Sequence, residues 1–353
     1  MEVLHGGPLP GDLEGAYPPL RVLLRNVGCE AESTFMSAAS SGSQLQRAIA
    51  SGRFVITAEI TPPVSCNRED VLAKALPLKG LADAVNVTDG AGARAHLGAQ
   101  AAATILLAND IEPVLQLTCR DRNRLALQSD LLGAAALGIR NLLVLRGDDP
   151  TAGDQPDAKP VFDLDSGGLI QTAVGIRDRG ELPSGRKVTG KAEFFIGAAD
   201  MPIDPPKDWQ PKSLKGKITA GAQFAQTQFC MDIDVVRRYV ARLEQDGLTD
   251  RIALLIGVVP LKSGRSARWI KEHLYGAIIP NHMVDRLEYS GDAAAEGRQI
   301  CVDFIEQLAT VPGVAGAHVM APNHESAIPD VIARARALVT ERAKAPRKAR
   351  RAG

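Results

Sequence analysis

The residues able to do chemistry in this chain sit at one end of its apolar runs. Glu59 lies near the end of the run 54–60, and Asn86 and Thr88 close 84–88. Gln116 and Thr118 close 113–118; Arg146 ends 141–146 and Asp148 follows; Gln226 and Gln228 lie within 224–229. A polar side chain in a packed core costs free energy unless it is hydrogen-bonded. Five strand-like runs that all turn polar at the carboxyl end therefore predict one shared rim facing a ligand.

Strand alternation puts Val55, Thr57 and Glu59 on one face, and Pro62-Pro63 ends the run. If that face is inward, Glu59 stands at a mouth with little water. Desolvation favours the protonated form of a carboxyl, which suits a general acid; the bland alternative is a carboxylate in a rim ion pair. Asp148 lies in Leu145-Arg146-Gly147-Asp148-Asp149-Pro150. Glycine there lets the backbone approach a ligand. Arg146 can hold a phosphate or a flavin edge, and Asp148 can hydrogen-bond a polar ring, although the string also reads as an Asp-rich turn before proline. Thr88, Asp89, Gly90 and Ala91 form a turn whose N–H groups can meet a phosphate, or simply a tight loop. Gln228 offers both donor and acceptor, which suits an amide-rich heterocycle as well as it suits a satisfied core amide. The histidines His5, His96, His273, His282, His318 and His324 show no i, i+4 pair and no HExxH, so no metal is expected. Serine nucleophile elbows and P-loops are absent.

The elements that must position these residues alternate. Strands are predicted over 53–60, 84–88, 113–118, 141–146, 192–197, 224–229, 252–258 and 316–320. Helices are predicted over 68–81, 98–109, 122–137, 167–179, 213–220, 235–245, 266–275, 281–286, 293–309 and 328–342. Repeated βα units demand parallel strands with right-handed crossovers, and eight of them fit a closed (β/α)8 TIM barrel whose active site lies at the carboxyl ends of the strands. An open doubly wound sheet is the rival. Its GxGxxG fingerprint is missing, because Gly90-Ala91-Gly92 lacks the third glycine. The expected organisation is an N-terminal arm over 1–44, a single barrel domain over 45–342 and a basic tail over 343–353.

Composition narrows the partners. The chain has 353 residues, 45% hydrophobic and 23% charged, with 41 basic against 41 acidic side chains. No overall field draws it to nucleic acid or an anionic membrane. The five cysteines are odd in number and widely spaced, with no CxxC, and read as reduced thiols. No apolar run approaches the ~20 residues of a membrane span, and 20–24 is too short for a secretory signal. A soluble, cytoplasmic protein is expected.

Together the strings resemble the methylenetetrahydrofolate reductase family. The pieces are Ala58-Glu59-Ile60-Thr61-Pro62-Pro63, Val85-Asn86-Val87-Thr88-Asp89-Gly90-Ala91, Leu117-Thr118-Cys119, Leu145-Arg146-Gly147-Asp148, Lys217-Ile218-Thr219-Ala220-Gly221-Ala222, Gln226-Thr227-Gln228-Phe229 and Gly257-Val258-Val259-Pro260. The resemblance implies a (β/α)8 barrel that reduces 5,10-methylenetetrahydrofolate to 5-methyltetrahydrofolate with NADH or NADPH, through a bound flavin. It makes Glu59 the acid that protonates the folate ring nitrogen and Asp148 the anion beside flavin and folate. It assigns Gln228, Asp148, Ser266 and His324 to the folate, and Thr88, Asp89, Ala91, Gln116, Arg146, Gly147, Asp148 and Lys217 to the cofactor. Some matching positions depart: Gln116 replaces a histidine, Gly197 and Met201 replace an aromatic and a histidine, Gly216 replaces an arginine, and His324 stands near another arginine's place. FAD is the first choice, with FMN or flavin-free hydride transfer open. The alternatives are a folate-binding subunit serving a methyl-transfer partner protein, or an unrelated barrel enzyme acting on a phosphorylated substrate. A homo-oligomer fits either folate reading.

Overall fold

The computed structural model describes residues 42–344. Nearly all of the expected arm (1–44) and tail (343–353) lies outside the described residues. Eight strands, β1 (Val55–Ile60), β2 (Val85–Val87), β3 (Pro113–Thr118), β4 (Asn141–Leu145), β5 (Phe195–Asp200), β6 (Phe224–Phe229), β7 (Ala253–Val258) and β8 (Val314–Val319), close in sequence order into one barrel. All pairs are parallel, and β8 returns to β1 with Val55 opposite Gly316 and Thr57 opposite His318. The (β/α)8 barrel is thus the architecture.

Around it run α1 (Gln44–Ala50), α2 (Arg68–Ala75), α3 (Ala99–Leu107), α4 (Arg124–Ala136), α5 (Ser166–Val174), α6 (Lys212–Ala220), α7 (Ile233–Gln245), α8 (Gly264–His273), α9 (Asn281–Glu288), α10 (Ala293–Leu308) and α11 (Ile328–Lys344). Ile56, Ala58 and Ile60 of β1, with their counterparts on the other strands, form the core between barrel and helices. The opposite face of each strand points inward. At the amino end that face is apolar: Val55, Ala84, Val114, Leu143, Phe195, Phe224 and Leu255 pack with Leu45 and Ala48 of α1, which plugs the barrel. The Glu112 carboxylate holds the plug, accepting the Gln44 and Leu45 N–H groups at 2.8 Å each and the Asn141 amide at 2.9 Å. A negative charge at a helix N-terminus is favourable. Phe195 and Phe224 stack at 4.8 Å between centroids, and a Cβ at Gly197 would meet the Phe224 ring at 2.3 Å.

Two predicted segments differ from the structure in instructive ways, beyond shifts of a residue or two at other ends. β5 begins at Phe195 rather than at 192, because the apolar residues 194–199 do not reveal their own register; pairing of Asn141 with Phe195 does. Its true end, Asp200, is hidden as a strand residue by its charge. The helix expected over 68–81 stops at Ala75 and tightens into a 3-10 turn at Leu76–Leu78, as Pro77 withdraws a backbone donor. The described cysteines Cys66, Cys119, Cys230 and Cys301 are free thiols; burial pushes Cys119 up to about 11 and Cys230 up to about 12.

Phe224→Ala should cost about 3–5 kcal/mol, as for other large aromatic truncations in cores. Urea unfolding reads this out, and a loss below about 1 kcal/mol would show that the plug repacks.

Candidate active site

One layer above the plug, the inward residues become polar. Thr57, Asn86, Gln116, Gln226 and His318 are all buried. Asn86 and Gln226 pair amide to amide, at 2.6 and 3.0 Å, and Gln226 Nε2 also donates to Thr57 Oγ1 at 3.0 Å. Thr57 Oγ1 lies 2.9 Å from His318 Nδ1. Every member therefore has a partner, which is what a polar layer in a barrel needs. Glu59 stands directly above, its side chain one-fifth exposed, with Oε2 accepting from Gln116 Nε2 at 2.7 Å and lying 3.5 Å from His318 Nε2. β1 thus sends Val55 to the plug, Thr57 to the polar layer and Glu59 to the mouth.

The loops beyond β2, β3 and β4 are tied into one shelf. Asp89 accepts the Thr118 N–H at 2.8 Å and hydroxyl at 2.9 Å, and pairs with Arg122, which also reaches Asp130 at 2.8 Å. The buried Arg120 donates to the carbonyls of Gly90 (3.1 Å) and Asp148 (3.2 Å) and pairs with Asp121 at 2.6 Å, which raises its already high pKa. Asp148 is exposed, and its carboxylate accepts the Gly92 N–H at 2.9 Å. Gly147 has φ +93°, and a Cβ there would sit 2.9 Å from Arg120 Cβ, so glycine is required twice over. Ala91 lies in the short turn Ala91–Ala93 of the same shelf. Glu59 and Asp148 therefore rise from one end of the barrel, at the carboxyl ends of β1 and β4.

A family model described as methylenetetrahydrofolate reductase matches residues 44–336. The chain belongs to the methylenetetrahydrofolate reductase family. A Caenorhabditis elegans relative, a probable methylenetetrahydrofolate reductase (NADPH), is 27% identical over 242 residues, covering 65% of this chain and 33% of the relative. One from Schizosaccharomyces pombe, methylenetetrahydrofolate reductase 1, is 27% identical over 262 residues, 71% of this chain and 40% of its own length. The 5,10-methylenetetrahydrofolate reductase of Pectobacterium carotovorum subsp. carotovorum is 28% identical over 222 residues, 60% of this chain and 66% of the relative. The chain thus spans about a third to two-fifths of the eukaryotic relatives it matches. Among solved structures, an uncharacterized Clostridium thermocellum protein that binds two copies of 5-methyl-5,6,7,8-tetrahydrofolic acid superposes with TM-score 0.60 at 13% identity, covering 84% of this chain and 99% of its own. That likeness shows the fold.

The remaining residues that the family resemblance points to are spread differently. Gln228 is half-buried where the β6–β7 register shifts; its amide donates to the Tyr275 carbonyl at 3.3 Å and accepts the Phe229 N–H at 3.0 Å. Bulges of this kind re-aim side chains beside active sites. Ser266 shares a reciprocal capping box with Ser263 that starts α8, so its hydroxyl already has a structural task. His324, past β8, has a buried Nε2 with no partner. Burial, then the nearby Lys262 and Arg298 charges, lower its pKa.

The flavin positions were tested against these contacts. In favour, Thr88 Oγ1 at the end of β2 is buried without a partner. Against, Arg146 is exposed with its guanidinium 4.6 Å over the Phe162 ring, and Lys217 donates to the Ala199 carbonyl at 2.6 Å beside Asp200. Burial raises Asp200, to which Tyr239 donates a hydrogen bond, and lowers Lys217, so desolvation outweighs their mutual attraction. Glycine stands at 216, and Phe224 fills the space a side chain at 197 would take. This donor set does not fit the phosphates of FAD or FMN held as the resemblance implies.

Sequence reasoning missed Arg120, Arg122 and His318. The charged string Arg120-Asp121-Arg122 just past β3 was a usable signal, and so was the parity of His318 within β8.

A histidine whose folded pKa lies below its ordinary value near 6.5 binds fewer protons folded than unfolded just below that value. Its share of stability is complete above that pH and is lost as pH falls through the folded value. Wild-type protein should therefore lose more urea resistance than His324→Gln on going from about pH 7.5 to about pH 5. Parallel losses would count against a neutral, buried His324.

Proposed function

We propose that this chain reduces 5,10-methylenetetrahydrofolate to 5-methyltetrahydrofolate, with NADH or NADPH as the hydride source. The observation that carries the reading is Glu59. It is a carboxyl at a barrel mouth with one oxygen held by Gln116 at 2.7 Å, on the rim that also bears Asp148. Family membership names the reaction, and the chemistry of the mouth is suited to it. Glu59 gives a proton to the folate ring nitrogen of the methylene bridge. The carbon–nitrogen bond breaks, and the bridge carbon is left as an iminium cation. The hydride then adds to that carbon to give the methyl group, leaving NAD(P)+. Asp148 favours the cationic iminium through charge. No step is assigned to a flavin, because the donor set does not fit one.

A second reading, a folate-binding subunit without redox activity, is favoured by the same engaged flavin positions and by the folate bound to the Clostridium neighbour. No helix of the described residues is long and apolar enough to cross a membrane.

Glu59→Gln should lower methylenetetrahydrofolate-dependent NAD(P)H oxidation by about 10²–10⁴-fold, the usual share of a general acid, while the thermal midpoint stays close to wild type. Unchanged turnover would remove Glu59 from the chemistry. Wild-type protein that binds folate but oxidises no NAD(P)H would select the subunit reading, and an isoalloxazine band in its visible spectrum would overturn the misfit at the flavin positions.

A further inference from the structure

The ring beneath Glu59 has a fixed direction. Gln226 Nε2, a donor-only nitrogen, directs its two hydrogens at Asn86 Oδ1 and Thr57 Oγ1, both at 3.0 Å, and lies 3.3 Å from His318 Nδ1, where it disfavours a hydrogen. Its Oε1 is taken by Asn86 Nδ2 at 2.6 Å. Thr57, having accepted one bond, has one hydrogen to give. His318 Nδ1 is its near acceptor at 2.9 Å, whereas the Ala317 carbonyl lies at 3.5 Å. Nδ1 is therefore an acceptor, and the neutral imidazole carries its hydrogen on Nε2. That nitrogen is 3.5 Å from Glu59 Oε2, an electrostatic approach more than a full hydrogen bond. Gln116 Nε2 donates to the same oxygen at 2.7 Å.

We propose that His318 is a positioning residue for Glu59: with its hydrogen held on Nε2 by Thr57, it joins Gln116 in directing N–H groups at Oε2, which leaves Oε1 to carry the transferable proton. The inference rests on the reductase reading for its catalytic consequence, but not for its geometry. When Glu59 gives up its proton, negative charge grows on a carboxylate already facing two N–H donors. Bonds to an ionised acceptor are stronger than bonds to a neutral one, so both contacts strengthen toward the transition state from groups already in place. The imidazole itself neither gains nor loses a proton.

The test has two independent parts. Long-range 15N spectra of histidine-labelled wild-type protein near pH 7.5, with the His318 signals assigned by their loss in His318→Gln, should show the neutral Nε2-protonated ring. An Nδ1-protonated ring or an imidazolium would overturn the proposal whatever the protein's activity. In turnover, His318→Leu should lower kcat about tenfold, the worth of one supporting hydrogen bond, with the folate KM within about twofold of wild type. His318→Gln, whose amide nitrogen can take the place of Nε2, should recover most of that loss, and the shorter His318→Asn should not. Equal kcat in the glutamine and asparagine variants, or an effect confined to KM, would refute the positioning role. If His318→Leu does not fold, the glutamine–asparagine comparison and the tautomer still decide. Absence of any folate reduction by wild type would sink the reductase reading instead, and the spectrum alone would then judge the arrangement.

Discussion

A closed eight-stranded barrel must fill its own interior and pair every polar group it places there. In this chain that constraint is met in layers. Apolar side chains and α1 close the amino end. An amide, hydroxyl and imidazole layer follows, in which Asn86, Gln226, Thr57 and His318 pair with one another. Glu59 is the first inward charge above it. A carboxylate could not stand there over an apolar floor without losing its polar partners. The polar layer thus lets an acid sit at the mouth without being driven out into water. The glycines at 197 and 316 belong to the same arrangement, since a Cβ at either would strike Phe224 or the Val55 carbonyl at 2.3 Å.

The shelf over β2–β4 obeys a different rule. Its charges are spent mainly on each other. Asp89 is neutralised by Arg122, and Arg120 is committed to Asp121 and to two loop carbonyls. These contacts hold the Gly90 and Gly147 turns in place and fix Asp148 relative to Gly92. They also commit Arg120 and Arg122 to partners other than a phosphate. Two of the rim arginines, Arg120 and Arg122, are in the fold closed into ion pairs, whereas Arg146 lies over the Phe162 ring. On the β5 side the Lys217 ammonium is drawn to the Ala199 carbonyl, and Gly216 has no side-chain donor.

Much of this was legible in the sequence because parallel barrel strands are marked twice, by apolar runs and by the polar residues that end them. β3 and β6 are bounded as the pattern predicts, and Glu59, Gln116 and Asp148 share the rim that the polarity gradient implied. Register was harder. β5 slid three residues because 194–199 is apolar without alternation and its end is masked by Asp200, whose carboxyl turns to Tyr239. Partner choice was harder still. Nothing in one sequence says that Gln116 points at Glu59, that Ser266 is consumed by a capping box, or that His318 completes a layer begun by Thr57, because those are contacts between residues up to 261 positions apart.

The mouth that results is uneven. β1 to β4 end in Glu59, the Asp89–Arg122 pair, Arg120 and Asp148, while β5 turns its terminal carboxyl aside and β6 offers only the half-engaged amide of Gln228. The partly exposed Glu59 and the exposed Asp148 therefore lie on the same half. A ligand that becomes cationic at one atom is drawn toward that half by simple charge, and one face of it is left toward β5–β8. For a reaction in which a proton arrives from one carboxyl, acid and anion on one side are useful, because both act on the atom that becomes cationic. The asymmetry follows from how the chain disposes of its charges: those on the first four loops face one another across the mouth, whereas Asp200 is buried outside the barrel against α7.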